Sequence, residues 1–424
     1  MCMRFSWLKC SALTSIAVLS LAGCESPQDE VTNPGADDAT VSAVDSTVNA
    51  HFEGLAASRL GQPFARLTAE EQERFAEGQE EFEEVETADD GLGPVFNEAG
   101  CAVCHTNPVG GTNNRLETRF GKLVAGVFDP MASAGGSLIQ DQGIGAVGGD
   151  PPTHTFVAEV VPGDANVRAS RITTPLFGLG LVDAVPDEAF LRLASLQARK
   201  TPATAGTANM VFDIASGSMR VGKFGWKAQV PTLHQFSGDA YLNEMGITSP
   251  EFPDENCPQG DCAQLAFNPM PELNDSGEAI GAFADFMTLL APPDRGRRTL
   301  EVLRGGLIFA AVGCADCHTP VLVTGASPVA ALSKKGFSPF SDFLLHDMGS
   351  LGDGIVQGNA TGRHMRTAPL WGIRNRTALL HDGRATTVTA AIRAHDGQGR
   401  FARSRFSRLS SRSRATLLAF VNSL

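Results

Sequence analysis

Two short motifs carry the clearest chemistry in this 424-residue chain. Residues 101–105 read Cys-Ala-Val-Cys-His, and residues 314–318 read Cys-Ala-Asp-Cys-His. Both follow the C-x-x-C-H pattern of covalently attached c-type haem, in which two thiols one helical turn apart reach the vinyl groups and the adjacent histidine meets the iron. A zinc half-site would need further Cys or His pairs, and a redox C-x-x-C rarely carries the histidine. The expected attachment residues are Cys101, Cys104, His105, Cys314, Cys317 and His318.

Both motifs lie within a longer internal repeat. Phe-x-x-x-Gly-Cys-Ala at residues 96–102 recurs at 309–315, and Pro-Leu-Phe-Gly at 175–178 is matched by Pro-Leu-Trp-Gly at 369–372. This spacing predicts a duplicated module with an insertion at about 186–222 in the first copy. We therefore expect a mainly α protein with two cytochrome-c-like haem domains, long loops and a few short strands.

The N-terminus predicts export and lipid attachment. Two basic residues precede an apolar stretch at 11–22, which is shorter than the ~20 residues that span a bilayer. Leu-Ala-Gly-Cys at 21–24 resembles the lipobox of bacterial lipoproteins, with a plain signal peptide as the alternative. Glu25 after the lipidated Cys24 favours the outer membrane, so we expect a periplasmic protein that contacts the membrane only through this lipid.

The predicted domain organisation follows from these features. Residues 1–23 form the signal peptide, and residues 24–65, which are rich in Ser, Thr, Asp and Pro, form a flexible acidic tether. The N-terminal haem domain, with its insertion, then covers 66–265, and the C-terminal haem domain covers 266–424.

The nine cysteines can be assigned one by one. Cys2 and Cys10 leave with the signal peptide, Cys24 carries lipid and four hold haem. Cys257 and Cys262 remain, in a loop rich in Pro, Gly and Asp, and an oxidising compartment favours a disulfide between them.

Charge and helix signals add weaker expectations. The net charge of −13 argues against a nucleic-acid partner. Thr68 with Glu71 forms a capping-box pattern that opens a helix. Eleven acids at 70–90 indicate a solvated helix face rather than a docking patch, although they could pack against the six arginines at 400–414. The Gly-rich segment at 135–150 predicts a surface loop.

Six further segments, with the two motifs, span roughly residues 67–424. They are Gly-Gly-Thr at 110–112, Pro-Leu-Phe-Gly-Leu-Gly-Leu at 175–181, Phe-Gly-Trp-Lys-Ala at 224–228, Leu-His-Asp-Met-Gly at 345–349, Arg-Thr-Ala-Pro-Leu-Trp-Gly at 366–372 and His-Asp-Gly-Arg-Ala at 381–385. In this order they resemble the bacterial di-haem cytochrome c peroxidase superfamily. The resemblance extends to its di-haem oxidoreductase branch, whose members are often labelled thiol oxidoreductases.

The resemblance implies two unequal haems. In the family the C-terminal haem accepts electrons with a methionine as sixth ligand, the N-terminal haem meets peroxide, and a tryptophan lies between them. Here Trp226 is the matching bridge, with a plain core tryptophan as the alternative. Met348 or His346 would be the sixth ligand of the second haem, the family pattern favouring Met348, and Met365 is a third candidate.

The first haem departs from the family pattern. Residues 113–121 lack the histidine that the peroxidases place there, so its sixth position would be open, filled by water, or supplied by His154. Gln235 and Glu244 fall near the family residues that move a proton during peroxide cleavage, and either could equally be a surface or capping residue. His234 is undecided between a site and a structural role.

Three functions follow as alternatives. The first is a peroxidase-like enzyme that takes electrons from a small cytochrome or cupredoxin and reduces hydrogen peroxide or another small oxidant. The second is a non-catalytic electron-transfer protein. The third, thiol oxidation, rests on the branch label alone, because no free cysteine is left.

Three further residues and calcium also have to be considered. Tyr241 lies far from the motif that supplies a tyrosine ligand in the methylamine-utilisation relative, so that chemistry is disfavoured. His381 and His395 are expected to be structural. Calcium between the haem domains is common in the superfamily, but no ligands for it can be named here.

Overall fold

A computed structural model describes residues 60–424, so the predicted signal peptide, Cys24 and most of the tether lie outside the described residues. Within 60–424, helices account for 34% and strands for 16% of residues, so the expected mainly α character holds only loosely. No helix in this part of the chain is long and apolar enough to cross a membrane. The α-helices are α1 (Ala69–Glu83), α2 (Cys101–Cys104), α3 (Leu179–Asp183), α4 (Asp187–Lys200), α5 (Leu233–Met245), α6 (Glu278–Leu289), α7 (Leu300–Ala311), α8 (Val388–Ala394), α9 (Arg400–Ser407) and α10 (Ser411–Val421).

The strands are short and form small antiparallel sheets. The longest, β2, pairs with β3 and with β7, and β12 pairs with β13 so that His346 lies opposite Met365. Their bounds are β1 (Val95–Phe96), β2 (Leu116–Val124), β3 (Val127–Asp129), β4 (Gln142–Gly143), β5 (Gly145–Val147), β6 (His154–Phe156), β7 (Val167–Ile172), β8 (Met210–Asp213), β9 (Ser218–Val221), β10 (Leu322–Val323), β11 (Gly336–Phe337), β12 (Leu345–Asp347) and β13 (His364–Arg366).

The first core forms where α1 packs against α6. Thr68 caps α1 as predicted, since its Oγ1 accepts from the backbone N of Glu71 at 3.1 Å and the Glu71 carboxylate accepts from the backbone N of Thr68 at 2.8 Å. The helices approach so closely at Gly78 that an added Cβ would collide with the backbone. Phe82 on α1 places its ring edge-on to His105, with centroids 5.8 Å apart.

The second core repeats this arrangement with α7 and α10. These helices cross at Gly305, where a Cβ would collide with the backbone carbonyl of Thr416. Phe309 on α7 lies 6.3 Å from the ring of His318. Leu417, Phe420 and Val421 on α10, and Leu424 just after it, are buried in this core. In both cores, therefore, the helix before a C-x-x-C-H motif crosses a later helix at a glycine.

The ends of two predicted segments need correction. Residues 60–65 belong to the fold rather than to a tether, because the Phe64 backbone N donates to Leu289 O and the Ala291 N donates to Gln62 O, each at 3.0 Å. Helix α6 follows the predicted domain boundary at 265 but packs in the first core. Both differences arise because tertiary packing, which local composition does not report, decides which core a segment joins.

Two surface expectations also differ from the structure. The Gly-rich segment 135–150 contains β4 and β5 and buries Leu138 and Ile139, so it is only partly a surface loop. The acidic helix α1 packs against α6, with Arg74 paired to Asp285, and not against the arginine-rich C-terminal helices. The predicted disulfide between residues 257 and 262 is present and closes a local loop.

Candidate functional site

Two cavities open at the two C-x-x-C-H motifs. The first cavity is lined by Cys101, Cys104 and His105, and the second by residues 314, 317 and 318 of the other motif. None of these four cysteines forms a disulfide. Each motif therefore presents two thiols and an imidazole to its own concave space.

Local backbone geometry explains this presentation. Helix α2 is a single turn, and the His105 backbone N donates to Cys101 O at 2.9 Å. In the second motif a 3-10 turn at Cys314–Asp316 has the same effect, and the His318 N donates to Cys314 O at 2.9 Å. One turn of helix puts the two cysteines of each motif on the same side, with the histidine directly after them.

Burial keeps both motif histidines neutral. It lowers the pKa of His105 and of His318 to about 4, so each imidazole is in the form that binds iron. The Nδ1 of His318 lies 2.9 Å from Phe340 O, a contact that requires the proton on Nδ1 and leaves Nε2 free to coordinate. Burial also raises the pKa of the Cys101, Cys104 and Cys314 thiols to about 12.

The second cavity contains cationic groups that suit a carboxylate ligand. The Nε and Nη2 atoms of Arg376 are buried and have no hydrogen-bond partner among the residues that the structure describes. Arg366 also lines this cavity, and burial lowers the pKa of both guanidinium groups to about 10. Buried donors of this kind are normally paired, and guanidinium forks bind carboxylates well, so haem propionates fit this wall.

Trp226 lines both cavities. Its Nε1 donates to Ile172 O at 3.0 Å, and its own carbonyl accepts from the Arg366 backbone N at 2.9 Å. The indole packs with Met348 and Met365 in a small apolar cluster. The tryptophan that the sequence singles out as a bridge is therefore held from both sides at the boundary between the cavities.

All three predicted sixth-ligand candidates line the second cavity. Both ring nitrogens of His346 have partners, since Nε2 lies 2.9 Å from the Asp342 carboxylate and Nδ1 lies 3.4 Å from the sulfur of Cys317. Met348 and Met365 have side chains in apolar surroundings. His346 is thus engaged in this structure, whereas the two thioethers are not.

Two histidines expected to be structural also line the second cavity. The His395 ring lies 6.4 Å from that of His318, and its Nδ1 is bonded to Ala391 O at 2.7 Å. His381 is buried with its ring 6.3 Å from Trp226. His381 lies in a turn and His395 caps α8, so nothing local in the sequence indicates their position at the cavity.

The first cavity differs from the second by its buried acidic cluster. Glu244 lines it and accepts a hydrogen bond from Asn97 Nδ2 at 2.8 Å, and burial raises the pKa of Glu244 to about 7. Burial likewise raises the pKa of Asp239 to about 6. Glu117 and Arg119 form an ion pair of 2.7 Å on the same wall. A carboxyl group with a pKa near 7 can both donate and accept a proton at neutral pH.

The sequence interpretation missed part of this cluster. Glu117 and Arg119 are two residues apart on β2, a spacing that places side chains on one face of a strand. Asp239 and Asn243 are four residues apart on α5, just before Glu244, and so lie on one side of that helix. These spacings are the signals by which the cluster could have been found.

Two residues considered for the first haem site lie away from the first cavity. Gln235 holds the β8–β9 hairpin, because its Oε1 accepts from Ile214 N at 3.0 Å and its Nε2 donates to Phe212 O at 3.2 Å. His154 stacks on Phe267 with ring centroids 4.6 Å apart and lines neither cavity. Of the alternatives left open for each residue, the structure therefore favours a structural role, since chain distance from a motif does not fix where a side chain lies.

The two undecided polar residues also lie elsewhere. His234 is exposed, with Nε2 3.1 Å from Glu251. The Tyr241 hydroxyl donates to Glu86 at 2.7 Å in the first core, away from the second cavity.

A buried lysine, Lys227, follows Trp226 in the chain. The ammonium of Lys227 is 2.7 Å from the Asp353 carboxylate and donates to the carbonyls of Thr361 and His364 at 3.1 and 2.6 Å. Arg171 pairs with the same carboxylate at 2.7 Å. Among the residues that the structure describes, no group of three or more His, Cys, Asp or Glu side chains is arranged to hold a metal ion.

Two C-x-x-C-H cavities bordered by one tryptophan define a protein built to hold two haems. The family model described as "Di-haem oxidoreductase, putative peroxidase" matches residues 156–424. Since this match covers more than half of the chain, the protein belongs to that family, as its resemblance implied. No curated protein matches the chain.

Two solved structures are similar at a low level. Hydrazine synthase from Kuenenia stuttgartiensis is 15% identical with a TM-score of 0.37, and the match covers 98% of this chain and 100% of that one. A MauG-like protein associated with microbial copper homeostasis is also 15% identical, with a TM-score of 0.30, over 59% of this chain and 89% of that one.

Proposed function

We propose that this protein is a periplasmic di-haem c-type oxidoreductase with peroxidase-like activity. Electrons would enter at the second cavity and be used at the first to reduce hydrogen peroxide or another small oxidant. The observation that carries this proposal is the asymmetry of the two cavities across Trp226. The first contains a buried acidic cluster and, among the described residues, no histidine besides His105, whereas the second contains three further histidines together with the thioethers of Met348 and Met365.

The proposed haem ligands follow from the motif geometry. Residues 101 and 104 with His105 would hold the first haem, and residues 314 and 317 with His318 the second. Arg376 and Arg366 would face the propionates of the second haem. Each haem supplies one-electron redox chemistry when bound.

Glu244 would be the proton carrier of the first cavity. Reduction of peroxide to two waters consumes two electrons and two protons, and one proton must reach the leaving oxygen. The pKa of Glu244, raised to about 7, and its hydrogen bond from Asn97 suit a carboxyl group that gives and regains this proton. His105 is the only histidine among the described residues that line this cavity, which favours an open position opposite it.

Met348 would be the sixth ligand of the second haem. Both nitrogens of His346 are occupied by Asp342 and by the second motif, whereas the Met348 thioether packs in the cluster with Trp226 and has no hydrogen-bond partner among the described residues. A thioether ligand raises the iron potential, which suits a haem that accepts electrons from a carrier.

The duplication and the location remain proposals with specific support. The pairs α1–α6 and α7–α10, each crossing at a glycine beside a motif, support two related haem domains, with α6 in the first. Attachment to the outer membrane through lipid on Cys24 rests on the N-terminal sequence alone.

A non-catalytic electron-transfer protein is the second candidate. Two methionines, Met245 and Met287, line the first cavity, and the thioether of either could be the sixth ligand of the first haem. The Met245 sulfur lies 4.0 Å from that of Cys101, on the attachment side, which weighs against it as the opposite ligand.

One set of measurements tests the proposal. Mass spectrometry of the purified protein should show two haem additions, and replacement of both motif cysteines at 314 and 317 by serine should leave one. EPR should show a high-spin haem that binds cyanide, and a reduced cytochrome should drive peroxide turnover. Two low-spin haems in every redox state, without turnover, would support the electron-transfer protein instead.

A further inference from the structure

The wall of the second cavity continues onto a strongly cationic surface. Helix α9 contributes Phe401, Arg403 and Arg405 to the cavity lining. Four exposed arginines on and after this helix form what we term the arginine collar: Arg400, Arg405, Arg408 and Arg412. The sequence contains no acid after Asp396.

No member of the collar is neutralised by a direct ion pair among the described residues. Among the residues described by the structure, none of its four members forms an ion pair with an acid, whereas Arg403 pairs with Asp396 at 3.4 Å. Asp316 also lines the cavity and lies near Arg405, since its Oδ2 and the Arg405 Nη1 are 3.6 and 3.2 Å from the position of the missing Cβ of Gly313, so it offsets part of the charge of Arg405 alone. A positive face is thus concentrated beside the second cavity of a chain whose net charge is −13.

An exposed aromatic ring lies within this surface. Phe401 is 46% exposed, although it also lines the cavity, and the Arg400 guanidinium lies 4.8 Å from the centre of its ring. An apolar centre with a charged rim is the usual form of a protein docking face, and complementary charge mainly raises the association rate.

We propose that the arginine collar and Phe401 dock a small electron-carrier protein whose docking face is acidic. This inference rests on the proposed function and specifies its partner. In each encounter the carrier would give up one electron to a haem held at the second motif, so two encounters would supply the two electrons that one peroxide consumes. The position of Phe401, on both the cavity wall and the surface, favours a compact protein over an extended membrane surface.

The test uses one carrier in two charge forms. The probes are reduced basic cytochrome c and the same protein with its lysines succinylated, and the readout is reduction of the second haem in a single turnover without peroxide. At low ionic strength the succinylated form should react about 10- to 100-fold faster, because attraction steers association. This advantage should disappear near 0.5 M salt, where charges are screened beyond a few ångström.

Charge reversal locates the docking face. Arg400→Glu with Arg408→Glu and Arg412→Glu should reverse the preference between the probes, and none of these three residues lines a cavity. Arg168→Glu with Arg192→Glu and Lys335→Glu is the matched control, since it makes the same change in net charge elsewhere on the surface. Unchanged haem spectra and melting temperatures would show that both triple variants fold.

The outcomes separate docking from catalysis. Peroxide turnover driven by ascorbate and neutral tetramethylphenylenediamine bypasses docking, so its absence would refute the proposed function without bearing on the collar. Equal effects of the two triple variants, or faster reaction of the basic probe, would overturn the docking proposal. It would also be overturned if the collar variant lost only binding to vesicles of anionic phospholipid and kept the probe preference.

Discussion

Glu244 is the residue on which the proposed chemistry of the first cavity depends. Its carboxyl group lies among Glu117, Arg119 and Asp239, and burial is the main reason that its pKa is raised to about 7. A raised pKa means that the group is protonated below pH 7 and loses its proton as the pH rises through that value.

Glu244→Gln should lower kcat for peroxide about 100-fold, because an amide cannot transfer the proton. In the parent protein turnover should decline above about pH 7 as the acid form is lost, and this limb should be missing from the variant. Steady-state rates from pH 5 to 9 measure both effects. Glu255→Gln is the control: burial raises the pKa of Glu255 to about 8, but its side chain lines neither cavity. An unchanged pH profile in Glu244→Gln would exclude Glu244 as the proton carrier.

Trp226→Phe tests the proposed path between the haems. The variant loses the hydrogen bond to Ile172, so unfolding free energy should fall by only about 1 kcal/mol. The rate of electron transfer from the second haem to the first should nevertheless fall strongly, although the variant stays folded. Stopped-flow reoxidation by peroxide gives the rate. Trp371→Phe provides the comparison, since Trp371 lies against Phe337 and lines neither cavity; equal slowing in both variants would contradict a bridging role.

At the scale of elements, each core depends on a glycine where two helices cross. Gly78 lets α1 approach α6, and Gly305 lets α7 approach α10. Gly281 lies on α6 with open space around the position of its missing Cβ. The same substitution should therefore have opposite effects at two positions of one helix pair.

Gly78→Ala should destabilise the protein by about 1–3 kcal/mol, because the added methyl group overpacks the crossing. Gly281→Ala should stabilise it by about 0.5–1 kcal/mol through helix propensity. Denaturant unfolding of the two variants measures the difference. A neutral Gly78→Ala would mean that the helices separate at little cost and that the crossing is not tight.

Local sequence signals predicted which local features form more reliably than they predicted which elements pack against one another. The Thr68 cap, the 257–262 disulfide and the two motifs depend on contacts within a few residues, so they could be read from the chain. Glu244 and Gln235 are both on α5, yet only Glu244 reaches the first cavity. Which face of α5 points there depends on α6 and the sheets packing around it, and that information is distributed over the whole chain.

At the scale of the whole molecule, the boundary between the two cavities contains a buried lysine next to Trp226. Lys227 and Asp353 are fully buried, and burial lowers the pKa of Lys227 to about 8. The ammonium is surrounded by one carboxylate and two carbonyl oxygens, which are also the donors that Ca²⁺ prefers.

Chelation with EDTA should therefore leave the melting temperature and the haem spectra unchanged. Lys227→Met should cost about 3–5 kcal/mol, because it leaves part of a buried charge unpaired. Lys122→Met is the matched control, since its pair with Asp164 is largely exposed and should contribute only about 0–1 kcal/mol. Melting scans with and without EDTA would contradict this if chelation lowered stability and added calcium restored it.

The 257–262 disulfide also constrains how the protein is made. Among the described residues one cysteine pair is joined, and under the proposed covalent attachment the four motif thiols would have to remain reduced until haem is bound. An oxidising compartment drives disulfide formation at closely spaced thiols in general, including those of a C-x-x-C pair. The proposed attachment would thus require two opposite redox outcomes within one chain. The order of haem ligation at the motifs and oxidation in the loop would then decide whether a newly made molecule matures or is trapped.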